Sequence, residues 1–171
     1  MSDVESSLMA PTSVVQIAAA LGIDDDTDLL DVIVRLEQFL AFNRTLGLDV
    51  GELTAERATF HLKLRPELIG NAQKQALHGG VISATLDAAG GMVAMAALVE
   101  RAATAEEALT ALMKVGTIDL RVDYLRPATS AAFVASAYPL RIGRTVAVTR
   151  MEFHDDRDRL VAVGTGTYIV G

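Results

Sequence analysis

Residues 77 to 91 read LHGGVISATLDAAGG, and Asp87 is the one charged side chain in that run. A carboxylate among apolar and small residues is costly unless it is partnered or reached by water. Such a group marks a place where a proton is taken or a bond is attacked. If a helix begins at Gly80, Asp87 lies seven residues further on. At 100° per residue it returns to within about 20° of the same face, and Ser83 falls between the two. The backbone amides of Gly79 and Gly80 would then be unpaired donors at the helix start, able to bond an oxygen on which negative charge develops. Glycine also allows a ligand to come close. The competing reading of Asp87, a residue on a solvated helix face, finds no solvated neighbours in the flanking sequence.

His78 opens the same segment. Its plainer role is structural, bonding a backbone group where the helix starts; the functional alternative is to orient a substrate or the loop.

The elements that must position these groups can be read from patterning. Thr12 or Ser13 can cap a short helix, SVVQIAAALGI, and the acidic DDDTD can cap a second, LLDVIVRLEQFLAFN, with Leu29, Ile33, Leu36 and Leu40 on one face. From Leu46 the pattern changes to near period-two alternation: GLDVGEL and RATFHLKL, separated by TAE, read as a hairpin. RPELIGNAQKQ reads as loop. GGVISATLDAAGGMVAMAALVERAA then gives about 25 residues of helix, apolar all round and so expected to be buried on all sides. TAEEALTALMK begins with a capping-box pattern, Thr104 and Glu107. Three long strand-like runs follow: VGTIDLRVDYLRP, then AAFVASAYPLRIGRTVAVTRMEF broken at Ile142 and Gly143, then RLVAVGTGTYIVG after the turn HDDRD. Long antiparallel strands with one long helix of small residues suggest a sheet curled round that helix. The one candidate boundary lies near residues 43–46, dividing a helical extension, 1–45, from the main domain, 46–171.

Composition narrows the class. With 51% hydrophobic residues the chain is not disordered, and its net charge of -7 repels nucleic acid and anionic membranes. Zero cysteines excludes disulfides and thiolate chemistry and suits a cytoplasmic location. MSDVESSLMAPTS has neither the basic nor the apolar region of a signal peptide. The longest uncharged apolar run, Ala88 to Val99, is shorter than the roughly 20 residues that span a bilayer, so no membrane is expected.

HGGVISATLD, followed by GTIDLRVDYLRPA, with ELIGN before and GRTVAV after, resembles the hotdog-fold acyl-CoA thioesterases. The pattern is that of the PaaI-like branch and, within it, the YigI-type medium/long-chain acyl-CoA thioesterases. The resemblance runs from AFNRTLGL to GTGTYIVG and leaves out about the first forty residues. It implies an α+β hotdog fold: a curled antiparallel sheet of six strands round one long helix, here with two extra N-terminal helices. It implies a homodimer, or a dimer of dimers, with two sites at the subunit interface. The substrate would be acyl-CoA, with no metal or further cofactor. Asp87 would be general base or nucleophile, and Asn71 would match the asparagine that positions substrate or water. Asn71 stands one residue further from His78 than in some relatives, so Gln73 or Gln75 could take its place. Thr117 would occupy the position of a Ser or Thr that reaches across from the opposite subunit to assist the attacking water. The alternation of TIDLRVDYLRP puts Thr117 with Asp119, Arg121 and Asp123, opposite Ile118, Leu120, Val122 and Tyr124. Coenzyme A brings phosphates to an acidic protein, and Arg126, Arg141 and Arg144 are the basic candidates to meet them.

Two other functions fit the same fold: a hydratase or dehydratase with His78 as base, and an acyl-CoA binding protein without turnover. Other motifs fail. There is no G-x-S-x-G for an α/β-hydrolase, GTGTYIVG ends a strand instead of opening a helix, and HDDRD reads as a charged hairpin turn before a metal site. His61, His78 and His154 are widely separated. Met92, Met95 and Met113 either fill the core or line an acyl channel.

Overall fold

The structure is a computed structural model that describes residues 13–24 and 26–171. Thr12, and the N-terminal segment through it, lie outside those residues. Ser13 caps α1 (Val14–Leu21) in a reciprocal pair with Gln16, and Asp28 caps α2 (Leu29–Phe39) by accepting from the amides of Leu30 and Asp31. The second expected helix is two: Leu40 takes an extended backbone, φ -67 and ψ 113, and α3 (Ala41–Leu46) starts after it. Among the described residues three helices precede the first strand, and Val32, Ile33 and Leu36 of α2 lie in the same core as the rest of the chain.

β1 (Asp49–Leu53) and β2 (Ala58–Lys63) form the expected hairpin. The segment read as loop carries a 3₁₀ turn, Pro66–Leu68, and a small sheet of β3 (Ile69–Asn71) and β4 (Ala76–Leu77). Gly70 is required there, since a Cβ would lie 2.6 Å from the Cα of His78. α4 (Gly79–Val99) follows, shorter than expected at 21 residues because tight turns at Arg101 and Ala102 close it. α5 (Ala105–Leu112) is capped by Thr104 as its sequence indicates.

β5 (Gly116–Tyr124), β6 (Ala132–Ile142), β7 (Val146–Asp155) and β8 (Leu160–Ile169) complete a six-stranded antiparallel sheet in the order β1-β2-β6-β7-β8-β5. Its concave side packs on α4 and buries Phe60, Leu86, Met92, Met151 and the stacked pair Phe133 and Phe153, ring centroids 5.2 Å apart. This is the hotdog arrangement. By length and composition α4 is able to cross a membrane, but two thirds of its apolar window is buried inside the sheet.

One expectation about α4 fails. The helix is not buried on all sides: Ser83, Ala84, Asp87 and Ala88 are half-buried at three- and four-residue steps, and Met95 is half-buried seven residues beyond Ala88. That stripe is where a ligand can reach the helix.

Candidate active site

Asp87 sits on this half-buried stripe, and its Oδ1 accepts a hydrogen bond from the Thr117 hydroxyl at 2.9 Å. Alternation alone puts Thr117 on the wrong face of β5. A bulge corrects this: Thr117 pairs with Tyr168 while Asp119 pairs with Thr167, so Ile118 is the extra residue. Thr117 thereby joins Leu120 and Val122 on the helix side. It does so within one chain, so the Thr117–Asp87 contact does not need a second subunit.

Tyr168 was missed by the sequence reading. It is buried, and its hydroxyl donates to the Asp87 carbonyl oxygen at 3.1 Å, tying the backbone of the catalytic candidate to β8. Burial pushes its phenol well above the ordinary range, with the Asp87 carboxylate adding to the effect, so it stays a donor. Room for the ring comes from Gly90, where a Cβ would stand 2.3 Å from the Tyr168 hydroxyl. The signal was present in the sequence as Gly90 inside a helix, a residue that costs about 1 kcal/mol there relative to alanine.

Around Asp87 and Thr117 lies a cleft of about 200 Å³. Its apolar walls include Ala88 and Met95 from α4 and Leu40 and Phe42 from the α2–α3 junction. α2 and α3 therefore form one wall of the site. Of the three methionines, Met92 is core, Met95 lines the cleft, and Met113 is exposed.

The start of α4 is built differently from the expectation. His78, not Gly79, is the N-cap, and its Nδ1 accepts from the Gly80 amide at 2.9 Å. The structural role of His78 is thus observed. An accepting Nδ1 places the proton on Nε2, which suits His78 as a donor and not as the base of a hydratase. It also takes Gly80 out of the expected pair of free amides. Gly79 keeps an amide with no bond to another group among the described residues, and its carbonyl accepts from the Tyr124 hydroxyl at 2.9 Å.

Asn71 lies in the exposed β3–β4 turn, where its Oδ1 accepts from the Lys74 amide at 2.9 Å. Gln73 is exposed in the same turn, and Gln75 bonds the Ala72 carbonyl. None of the three lines the Asp87 cleft of its own chain.

The arginines do not converge within one chain. Arg126 bonds the Leu160 carbonyl, while Arg141 and Arg144 flank the β6–β7 turn near Ile169. Nine residues of β8 separate the two ends, roughly 30 Å at strand rise.

HDDRD forms the charged turn expected of it. Asp155 accepts from the amides of Arg157 and Arg159 with Oδ1, and from Ser130 and the Arg159 guanidinium with Oδ2.

Comparison with known proteins agrees with this architecture. Residues 74–162 match the family model described as the thioesterase superfamily. The medium/long-chain acyl-CoA thioesterase YigI of Escherichia coli K12 is 41% identical over 134 residues, covering 77% of this chain and 86% of that protein. YigI of Salmonella typhimurium is 40% identical over the same length. A crystal structure of a Shewanella oneidensis protein related to the thioesterase superfamily superposes with a TM-score of 0.78 at 40% identity, covering 84% of this chain and 97% of that one. A curled sheet round a helix that carries Asp87 above an apolar cleft, with relatives at this identity over most of both chains, establishes that the chain belongs to the hotdog thioesterase superfamily.

Proposed function

We propose that the protein hydrolyses acyl-CoA thioesters to a free acid and coenzyme A, with Asp87 as the essential carboxylate. The observation that carries this reading is the Thr117 hydroxyl on Asp87 Oδ1 at the wall of an apolar cleft. That bond fixes one carboxylate oxygen and leaves Oδ2 to take a proton from water as it attacks the thioester carbon. The acyl chain lies against Leu40, Phe42 and Met95. The relatives named for medium/long-chain acyl-CoA support the same substrate class.

The oxyanion donor comes from a second copy of the chain. Gly79 and Asp87 are eight residues apart, about 12 Å along a helix axis. An amide, a carbonyl, a water and a carboxylate joined by contacts of about 3 Å and bent at the carbonyl fall short of that span. Residues 78–80 also do not line the Asp87 cleft.

A homodimer closes the gap. β5 is a free sheet edge of nine residues with Ile118 and Tyr124, and Leu125 just beyond it, at least half exposed, an arrangement that invites pairing. One end of β5 holds Thr117 on Asp87, and the other holds Tyr124 on Gly79. Two β5 strands paired antiparallel about a two-fold axis bring Asp87 of one protomer beside Gly79 of the partner subunit. Arg126, Arg141 and Arg144 remain the basic groups for the CoA phosphates, and His78 and Asn71 remain the candidates to position the substrate or the water. Neither a metal nor a further cofactor enters this scheme, and acidic charge and soluble folding fit a cytoplasmic enzyme.

The test is thiol release from short, medium, long and aromatic acyl-CoA esters. Asp87→Asn is expected to lower kcat by about 10²- to 10⁴-fold. Gly79→Pro removes one amide at a first helical position that suits proline, and is expected to cost about 10²- to 10³-fold. Full rates in Asp87→Asn refute the mechanism.

A further inference from the structure

A second cavity of about 410 Å³ lies behind the Asp87 cleft, between α2, α3 and the β1–β2 hairpin. The two cavities have two lining residues in common, Glu37 and Asn43. These two are bonded to each other: Asn43 Nδ2 donates to Glu37 Oε2 at 2.5 Å. Glu37 comes from α2 and Asn43 from α3, so the bond closes the kink at Leu40 and stands as a partition between the cavities.

The partition is an unusual choice of residues. Glu37 is only 5% exposed, and a helix end could be tied to the next helix by an apolar contact at lower cost than by a buried carboxyl. Burial pushes that carboxyl up to about 7, against the smaller opposite effect of the Asn43 bond, so near neutrality much of it is uncharged. An uncharged carboxyl can face the end of an alkyl chain. Beyond it the second cavity offers Val34, Leu48, Val50 and Phe60 as apolar lining, with Gln38, Arg44 and Asp49 on its exposed side.

We infer that the Glu37–Asn43 pair is the end stop of the acyl cleft and sets the longest acyl chain the enzyme accepts. The inference rests on the thioesterase reading for its substrate and adds the residues that measure chain length. The occupant of the second cavity, once the stop is cut back, is the tail of a longer acyl chain.

The experiment compares wild type, Glu37→Ala, Asn43→Ala and Glu37→Gln across straight-chain acyl-CoA esters of increasing length, reading kcat and KM separately. The same proteins are titrated with non-hydrolysable acyl-CoA thioethers of the same lengths. In wild type, KM stops improving at a limiting length. In Glu37→Ala and Asn43→Ala the limit moves to longer esters, with about a fourfold gain in kcat/KM for each further methylene removed from water, carried by KM. Short esters keep their wild-type KM, and Glu37→Gln keeps the wild-type limit because it preserves volume and the bond to Asn43.

A merely structural role lowers all esters together and leaves the limit in place. An unchanged limit in whichever alanine variant folds overturns the inference, while hydrolysis by wild type leaves the thioesterase reading intact. Thioether binding separates the converse case: no hydrolysis by wild type, together with longer thioethers bound by the alanine variants, discards the thioesterase and keeps the stop.

Discussion

Two aspartates of this chain show how environment divides chemistry from architecture. Asp155 is 6% exposed and its two oxygens take bonds from two amides, a serine and an arginine. Asp87 is half-buried at a cleft, and among the described residues its Oδ1 accepts from the Thr117 hydroxyl. A carboxylate with its lone pairs filled holds a turn. One with an oxygen left over, and room beside it, can accept a proton from water.

The comparison is broken most forcefully by exchanging the two lesions. Asp155→Asn should leave thiol release within about twofold, since the turn lies away from the cleft, and should cost stability. The Arg159 guanidinium bonded to Asp155 holds its carboxyl well below the usual carboxylate range. A depressed folded value contributes stability that is full above about pH 4 and is lost as pH falls through the folded value. The gap between wild type and Asp155→Asn in denaturant melts should therefore shrink as pH is lowered below about 4. A gap that stays constant to low pH would mean that the turn does not depend on this carboxylate.

Glu37 sharpens the comparison as a third carboxyl, buried with a single amide partner. Its folded value, up to about 7, lies above the unfolded one of 4.5, so the folded chain holds the proton longer. Across that window the native state weakens as pH rises, by on the order of 3 kcal/mol. Arg44 and Asp49 border the same cavity on one side, and Asp87 borders the cleft on the other. Melts of Glu37→Gln between pH 5 and 8 should lack this slope. Parallel curves for variant and wild type would show that Glu37 is ionised in the fold.

A smaller effect is expected at Thr117. Thr117→Val keeps the shape and removes the donor to a charged acceptor, a bond of roughly 1.5 to 3 kcal/mol. A fall of about ten- to a hundredfold in kcat/KM should follow. No fall would place the hydroxyl outside the reaction.

Much of this architecture is legible in the sequence, for physical reasons that can be named. The long strands declare themselves by alternation, and the central helix by a long proline-free run of small and apolar residues with one carboxylate in it. The split at Leu40 does not, because Leu40 continues the apolar face of α2 and only the backbone departs from helix. The side on which Thr117 lies is hidden by the one-residue bulge at Ile118, which reverses the alternation. The two-stranded β3–β4 element is too short to show a period. The roles of His78 and Gly80 turn on one side-chain bond to one amide, a choice that spacing leaves open.

In the proposed scheme one thioester is handled by Asp87 of one protomer and Gly79 of the other. Its most direct test is a mixed dimer of Asp87→Asn and Gly79→Pro chains, carrying two different tags and purified through both. A two-fold dimer with shared sites then has one site with both lesions and one with neither, and thiol release should return to about half the wild-type rate. Thiol release no higher than in either single variant would place Gly79 and Asp87 in the same chain's site and contradict the account.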